Sequence, residues 1–211
     1  MKTVVLIRHG ETEWNRQRRV QGWAPVPLTE RGVVQARAVG DALNRRYEID
    51  RVVASDLRRT VETVRHAASL ASPDVTVRYD RGWRERNLGV LQGFGYDELD
   101  RKFPQYSLAS VGAAAVEERP EGGESLLDVR DRVLEAWDRT VAGTSDDQTT
   151  LVVTHGGPLR LLFGALKELD VVTCFRELSP KNCAINEIRV DDGVEIFCEN
   201  ETVELAESDE L

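Results

Sequence analysis

The sequence predicts an α/β fold: a three-layer αβα sandwich around a mostly parallel central sheet, with residues 1–211 forming one domain. Two observations carry that expectation. Short apolar runs, such as "VVLI" (4–7) and "LVV" (151–153), alternate along the chain with segments whose apolar residues recur at helical spacing. Three strand-like runs also stop at residues that suit chemistry better than packing: Arg8-His9-Gly10, Ser55-Asp56 and His155-Gly156-Gly157. In parallel sheets ligands collect beyond the carboxyl ends of the strands, so the second observation reinforces the first.

Taken in order, residues 3–7 read as a buried strand because the apolar run is continuous. Thr29 is placed to cap a helix running to about Tyr47, with Val34, Ala38, Val39, Ala42 and Leu43 on one side. "RVVAS" (51–55) reads as a second buried strand, and Asp56 as the opening of a helix carrying Leu57, Val61, Val64 and Ala68. "VTVRY" (75–79) alternates as a strand does. Residues 80–123 are rich in glycine and charge, which predicts loops and short helices that cover a site. Ser125 and Asp128 have capping-box spacing, and Leu126, Val129, Val133 and Trp137 continue a helix. "TLVVT" (150–154) is another buried strand, and Pro158 suits the first turn of a helix to about Lys167. Residues 185–190 and 194–198 flank Asp192-Gly193, a hairpin signal. The tail from about 199 to 211 is acidic and expected to be solvated.

Composition narrows the function classes. A formal net charge of −9 repels nucleic acid and anionic lipid, so an anionic small molecule needs a local positive pocket. No apolar run approaches a membrane span, and charges in "MKTVVLIRHG" arrive before a signal peptide's apolar region could form. The expectation is a cytoplasmic protein with neither membrane nor nucleic acid as partner. Cys174, Cys183 and Cys198 are odd in number and lack CxxC spacing, which predicts free thiols and neither disulfide nor zinc site. Nothing in the sequence fixes the oligomeric state, and a homo-oligomer stays open.

Of three histidines, His9 and His155 each follow an apolar strand and precede glycine, whereas His66 lies mid-helix. A single histidine in such a place is usually a satisfied core residue; two in the same setting are poorly explained that way. A glycine after each lets the chain turn and lets backbone N–H groups approach an anion. Arg8 at a buried strand end is costly unless an anion meets it. Arg58-Arg59 sits near a helix start, where the helix dipole disfavours cations, unless a phosphate bridges the conflict. Glu85 lies between two arginines in "WRERNLGVLQG" and by composition alone is not special.

"LIRHGETEWN" resembles the signature of the histidine phosphatase superfamily, the phosphoglycerate mutase-like proteins. "VQGW", "PLTERGVVQA", "SDLRRTVET", "WRERNLGVLQG", "GGESLLDVRDRV" and "VVTHGGPLR" resemble that family's blocks in the family's order, from about Val4 to Leu166. The resemblance implies that His9 is a transiently phosphorylated nucleophile, that Arg8, Arg59 and His155 hold the phosphoryl oxygens, and that Glu85 is the proton donor. It also places Thr12, Asn15, Gln21, Gly22 and Gly156 against the phosphoryl group or substrate. Two departures stand out. Pro25 occupies a position where many relatives carry aspartate, which puts the local loop in question. Gly157 stands where mutases of the family tend to carry asparagine. With the "PEGGES" block and the shortness of any cap insertion, the latter leans toward a phosphatase.

The reading that follows is a phosphomonoesterase of the phosphatase branch, working on a small phosphorylated metabolite through phosphohistidine at His9, with no metal and no cofactor. A 2,3-bisphosphoglycerate-dependent phosphoglycerate mutase is the alternative. A non-catalytic phospho-ligand module is a third reading, disfavoured because His9, Glu85 and both arginines are all present. Few basic residues in 94–120 predict weak selection for a second phosphate.

Overall fold

The computed structural model describes residues 1–67 and 75–205. Its strands are β1 (Lys2–Arg8), β2 (Arg51–Ala54), β3 (Val77–Tyr79), β4 (Thr149–Thr154), β5 (Ile185–Val190) and β6 (Val194–Glu201). They form one sheet in the order β3-β2-β4-β1-β5-β6. β3, β2, β4 and β1 are mutually parallel, and β5 and β6 add an antiparallel hairpin. The helices are α1 (Glu13–Arg16), α2 (Glu30–Arg46), α3 (Arg58–His66), α4 (Tyr96–Lys102), α5 (Leu108–Val111), α6 (Leu126–Ala142), α7 (Gly156–Leu166) and α8 (Val171–Glu177).

Strand alternation builds the three layers. Val4 and Leu6 of β1 face one core with Val152, Val129, Val133, Leu159 and Leu162, which brings α6 and α7 onto that face. Val5 and Ile7 face the other with Val153, Ala36, Val39 and Leu43, which brings α2 there. All of these residues are buried, so both faces of the sheet are covered as a parallel sheet requires. Thr29 caps α2 through a bond from Gly32 N–H, and Ser125 caps α6 in a full capping box, as the sequence predicts. The glycine at 32 also allows close packing, since a Cβ there would lie 2.1 Å from the Glu11 carbonyl oxygen.

Several expectations need correction. On α2 the buried stripe is Gly32, Ala36, Val39, Gly40, Ala42 and Leu43, with Val34 and Ala38 only half-buried. α3 starts at Arg58 with Leu57 as its cap, two residues later than expected, because the Asp56 carboxylate is taken by Arg84 at 2.5 Å through both oxygens. The buried side of α3 is Arg59, Thr60 and Thr63, whereas Val61 and Val64 are half-buried; Ala68 lies outside the described residues. That helix faces a polar site, so its inner residues are polar. α8 has no counterpart among the predicted elements. The acidic tail begins later than position 199: β6 continues to Glu201, Glu199 pairs with Lys167, Glu201 with Arg46, and Val203 packs on the core beside α2. No described helix is long and apolar enough to cross a membrane. Cys174 and Cys183 are buried and Cys198 half-buried, all three free.

Candidate active site

The three strand ends singled out by sequence belong to β2, β4 and β1, which are adjacent in the sheet. Their carboxyl ends therefore deliver Ser55, His155 and Arg8-His9 to one place, with the rings of His9 and His155 5.2 Å apart.

His9 is 2 % exposed. Its Nδ1 lies 2.7 Å from the carbonyl oxygen of Gly10. A carbonyl only accepts, so Nδ1 carries the proton and Nε2 carries the lone pair. Nε2 accepts from Arg59 Nε–H at 3.2 Å. Burial, then the charges of Arg59 and Arg8, hold the His9 pKa well below the ordinary histidine value. The backbone is pinned as well: Asn182 donates to the His9 carbonyl at 2.7 Å, and Gly10 N–H donates to Thr63 Oγ1 at 3.1 Å.

Arg59 is 1 % exposed and still bonded throughout. Its Nη2 donates to the Gly22 carbonyl at 2.8 Å and its Nη1 to the Ala24 carbonyl at 3.3 Å. Burial lowers its pKa to about 10, which leaves it charged at neutral pH. Gly22 makes this turn in the left-handed region, at φ +51°. The loop containing Pro25 thus keeps its hold on Arg59, with Pro25 itself exposed. Arg58 points the other way and pairs with Glu62 at 2.7 Å, an ordinary surface ion pair with no phosphate needed.

Arg8 donates through Nη1 to the Pro180 carbonyl at 2.8 Å, while its Nε is buried without a partner among the described residues. His155 is fully buried, with Nε2 2.8 Å from Ser55 Oγ and Nδ1 buried without a partner. Burial, then Arg59, His9 and Arg8, lower its pKa well below the usual value. Gln21 Oε1 is a third buried and unpartnered atom. Such atoms are rare in folded proteins. Gly156 opens α7 beside Arg8 and Arg160.

Glu85 reaches the site from a loop. Its Oε1 accepts Arg86 N–H at 2.9 Å and its Oε2 accepts Gly157 N–H at 3.1 Å, at the amino end of α7. The loop is held by Arg132 of α6, which donates to the carbonyls of Gly82, Arg84 and Glu85 at 2.9, 2.7 and 2.8 Å. Arg132 also grips both oxygens of Glu124, at 2.8 and 3.0 Å. Trp23 donates its indole N–H to the Glu85 carbonyl at 2.7 Å, under the Arg84 guanidinium.

Thr12 and Asn15 largely satisfy each other. Thr12 caps α1, and Asn15 Oδ1 accepts from both the backbone and the hydroxyl of Thr12 at 3.1 and 3.0 Å. That leaves the Asn15 amide nitrogen as a donor group without a partner among the described residues. Arg132, Asn182 and Trp23 enter the site without having been picked from sequence, and Ser55 was given no role there. Only Ser55 carried a signal, as a strand terminus. Among the described residues no group of three or more His, Cys, Asp or Glu side chains is placed to hold a metal ion.

Residues 4–198 match the family described as the histidine phosphatase superfamily (branch 1). The chain is 37% identical to phosphoglycerate mutase-like protein 4 of Arabidopsis thaliana over 160 residues, 76% of this chain and 69% of that one. Among solved structures it is similar to Bacillus stearothermophilus YhfR, with TM-score 0.84 and 29% identity over 96% of this chain and 98% of that one. It is also similar to a mycobacterial glucosyl-3-phosphoglycerate phosphatase solved with VO3, with TM-score 0.79 and 29% identity over 96% and 100% of the two chains. With the motifs, the sheet order and the paired histidines in agreement, this chain belongs to the histidine phosphatase superfamily, branch 1.

Proposed function

We propose that the protein is a phosphomonoesterase that hydrolyses a small phosphorylated metabolite through a phosphohistidine on His9. The observation that carries the reading is the tautomer of His9: Gly10 fixes the proton on Nδ1, so the nucleophilic lone pair is on Nε2, facing Arg59.

The first step forms a bond from phosphorus to His9 Nε2 and breaks the bond from phosphorus to the ester oxygen. Negative charge spreads over three equatorial oxygens, and Arg8 and Arg59 supply a fixed positive cradle for it. Within the site, Arg8 Nε and His155 Nδ1 are buried donors with no partner among the described residues. For His155 this role requires Ser55 to donate its hydroxyl proton to Nε2, leaving the ring proton on Nδ1. Glu85 gives its proton to the leaving alkoxide and becomes a carboxylate. In the second step that carboxylate takes a proton from water, which attacks phosphorus and releases phosphate and neutral His9. The cycle calls on no metal. Thr12, Asn15, Gln21, Gly22 and Gly156 line this cradle or shape the loops that do.

Weak selection for a second phosphate is supported by the ion pairing within residues 94–120. Of the three cations in 94–120, Lys102 pairs with Glu98 and Arg119 with Asp128, which leaves Arg101. The similarity to a phosphoglycerate mutase-like protein favours a second reading, in which the phosphoryl group returns to a sugar acid. Phosphate release from p-nitrophenyl phosphate and 3-phosphoglycerate in EDTA, with and without 2,3-bisphosphoglycerate, tests both. Release that ignores EDTA supports the phosphatase. Isomerisation that requires the bisphosphate, with negligible release, replaces it with the mutase.

A further inference from the structure

Gly157 has no side chain for a reason that its own backbone does not supply. Its φ is not in the left-handed region, and it is the second residue of α7, where alanine is the better helix former. Other glycines near the site are required by backbone packing: a Cβ on Gly10 would lie 2.4 Å from the Gly32 carbonyl oxygen. A Cβ on Gly157 would instead lie 2.1 Å from Glu85 Oε1, 3.1 Å from its Cδ and 3.5 Å from its Oε2. All three nearest atoms belong to one carboxylate, and Gly157 N–H donates to that same carboxylate at 3.1 Å.

We propose that Gly157 is a positioning residue, and that the space left by its absent side chain is the seat of Glu85. The proposal rests on the reading of His9 and Glu85 given above. The seat sets where the carboxyl group meets the leaving oxygen. As the phosphorus–oxygen bond breaks, the proton passes to that oxygen, and the negative charge left on the Glu85 carboxylate is held by the N–H groups of Arg86 and of Gly157 at the positive end of α7. A methyl group at 157 pushes the carboxylate out of the seat and leaves the arginine and histidine cradle in place. The loss is therefore confined to chemistry that needs Glu85's proton.

That confinement can be read from leaving-group dependence. An alkyl ester such as β-glycerophosphate needs a proton on its leaving oxygen, whereas 2,4-dinitrophenyl phosphate does not. kcat/KM reports the steps through formation of the phosphoenzyme. For Gly157→Ala it should fall roughly 100-fold or more with the alkyl ester and less than about threefold with the dinitrophenyl ester. The melting temperature should equal or exceed that of the wild type, because alanine favours the helix. In a Glu85→Gln background the alanine should add no further loss with the alkyl ester, since the two changes act on one interaction. An equal fall with both esters, no fall with either, or additive losses in the double variant would each overturn the proposal. Wild-type inactivity on every ester would instead remove the phosphatase reading, and this proposal with it; a wild type active on both esters isolates the question of Gly157.

Discussion

At the scale of single residues, the site works by choosing protonation states before any ligand arrives. Gly10 assigns the His9 proton, and burial with two guanidinium groups keeps the ring neutral. Arg59 does two jobs at once, since the fork that faces Nε2 also ties down the carbonyls of Gly22 and Ala24. A lysine keeps the charge but cannot span those three partners. Arg59→Lys should therefore lower kcat/KM by about 100-fold or more, read with p-nitrophenyl phosphate. Retention of near-wild-type activity would mean that charge alone suffices. His9, His155 and Arg8 were legible because each stands at the end of an apolar strand. Glu85 was legible only by resemblance, because a carboxylate between two arginines has no distinguishing pattern of its own. Arg132 was invisible: it sits one position before Val133 on an amphipathic helix and reads as solvated, yet its guanidinium turns inward onto the 82–85 loop.

At the scale of elements, a loop carries the proposed acid and a helix supplies its rigidity. The carbonyls of residues 82, 84 and 85 point at one guanidinium, and Glu124 fixes that guanidinium in turn. Arg132→Lys removes most of those bonds at once. The expected result is a drop of about 10- to 100-fold in kcat, because a misplaced acid costs the transition state more than the ground state. KM should change little, and kcat/KM with dinitrophenyl phosphate should suffer least. A rise in KM with kcat unchanged would assign Arg132 to substrate binding. Period and capping were enough to find β1, β2, β4, α2, α6 and the β5–β6 hairpin. They misassigned the buried face of α3, which is made of Arg59, Thr60 and Thr63 and so breaks the apolar pattern. They missed α8, whose seven residues are too few to show a period.

At the scale of the whole molecule, two neutral histidines are buried in a protein of net charge −9. Both pKa values are lowered on folding, so the unfolded chain binds more protons below about pH 6.5. Stability then rises with pH through that window and is lost as pH falls below it. The limiting slope for two such groups is about 2.7 kcal/mol per pH unit. Urea unfolding between pH 5 and 7 should show this decline, and His155→Gln should remove about half of it; a flat profile would contradict neutral burial. The layered sheet explains why distant sequence blocks act together: strand order β2-β4-β1 brings residues 55, 155 and 9 to one edge. The proposed function rests on His9 carrying the phosphoryl group. The most direct test is to mix enzyme with substrate, quench in alkali within the first turnovers, and map phosphorylated peptides by mass spectrometry. The wild type should carry one acid-labile, alkali-stable phosphoryl group on His9, and His9→Ala none. Phosphate release with no phosphohistidine at any time, or a label that persists in His9→Ala, would contradict it.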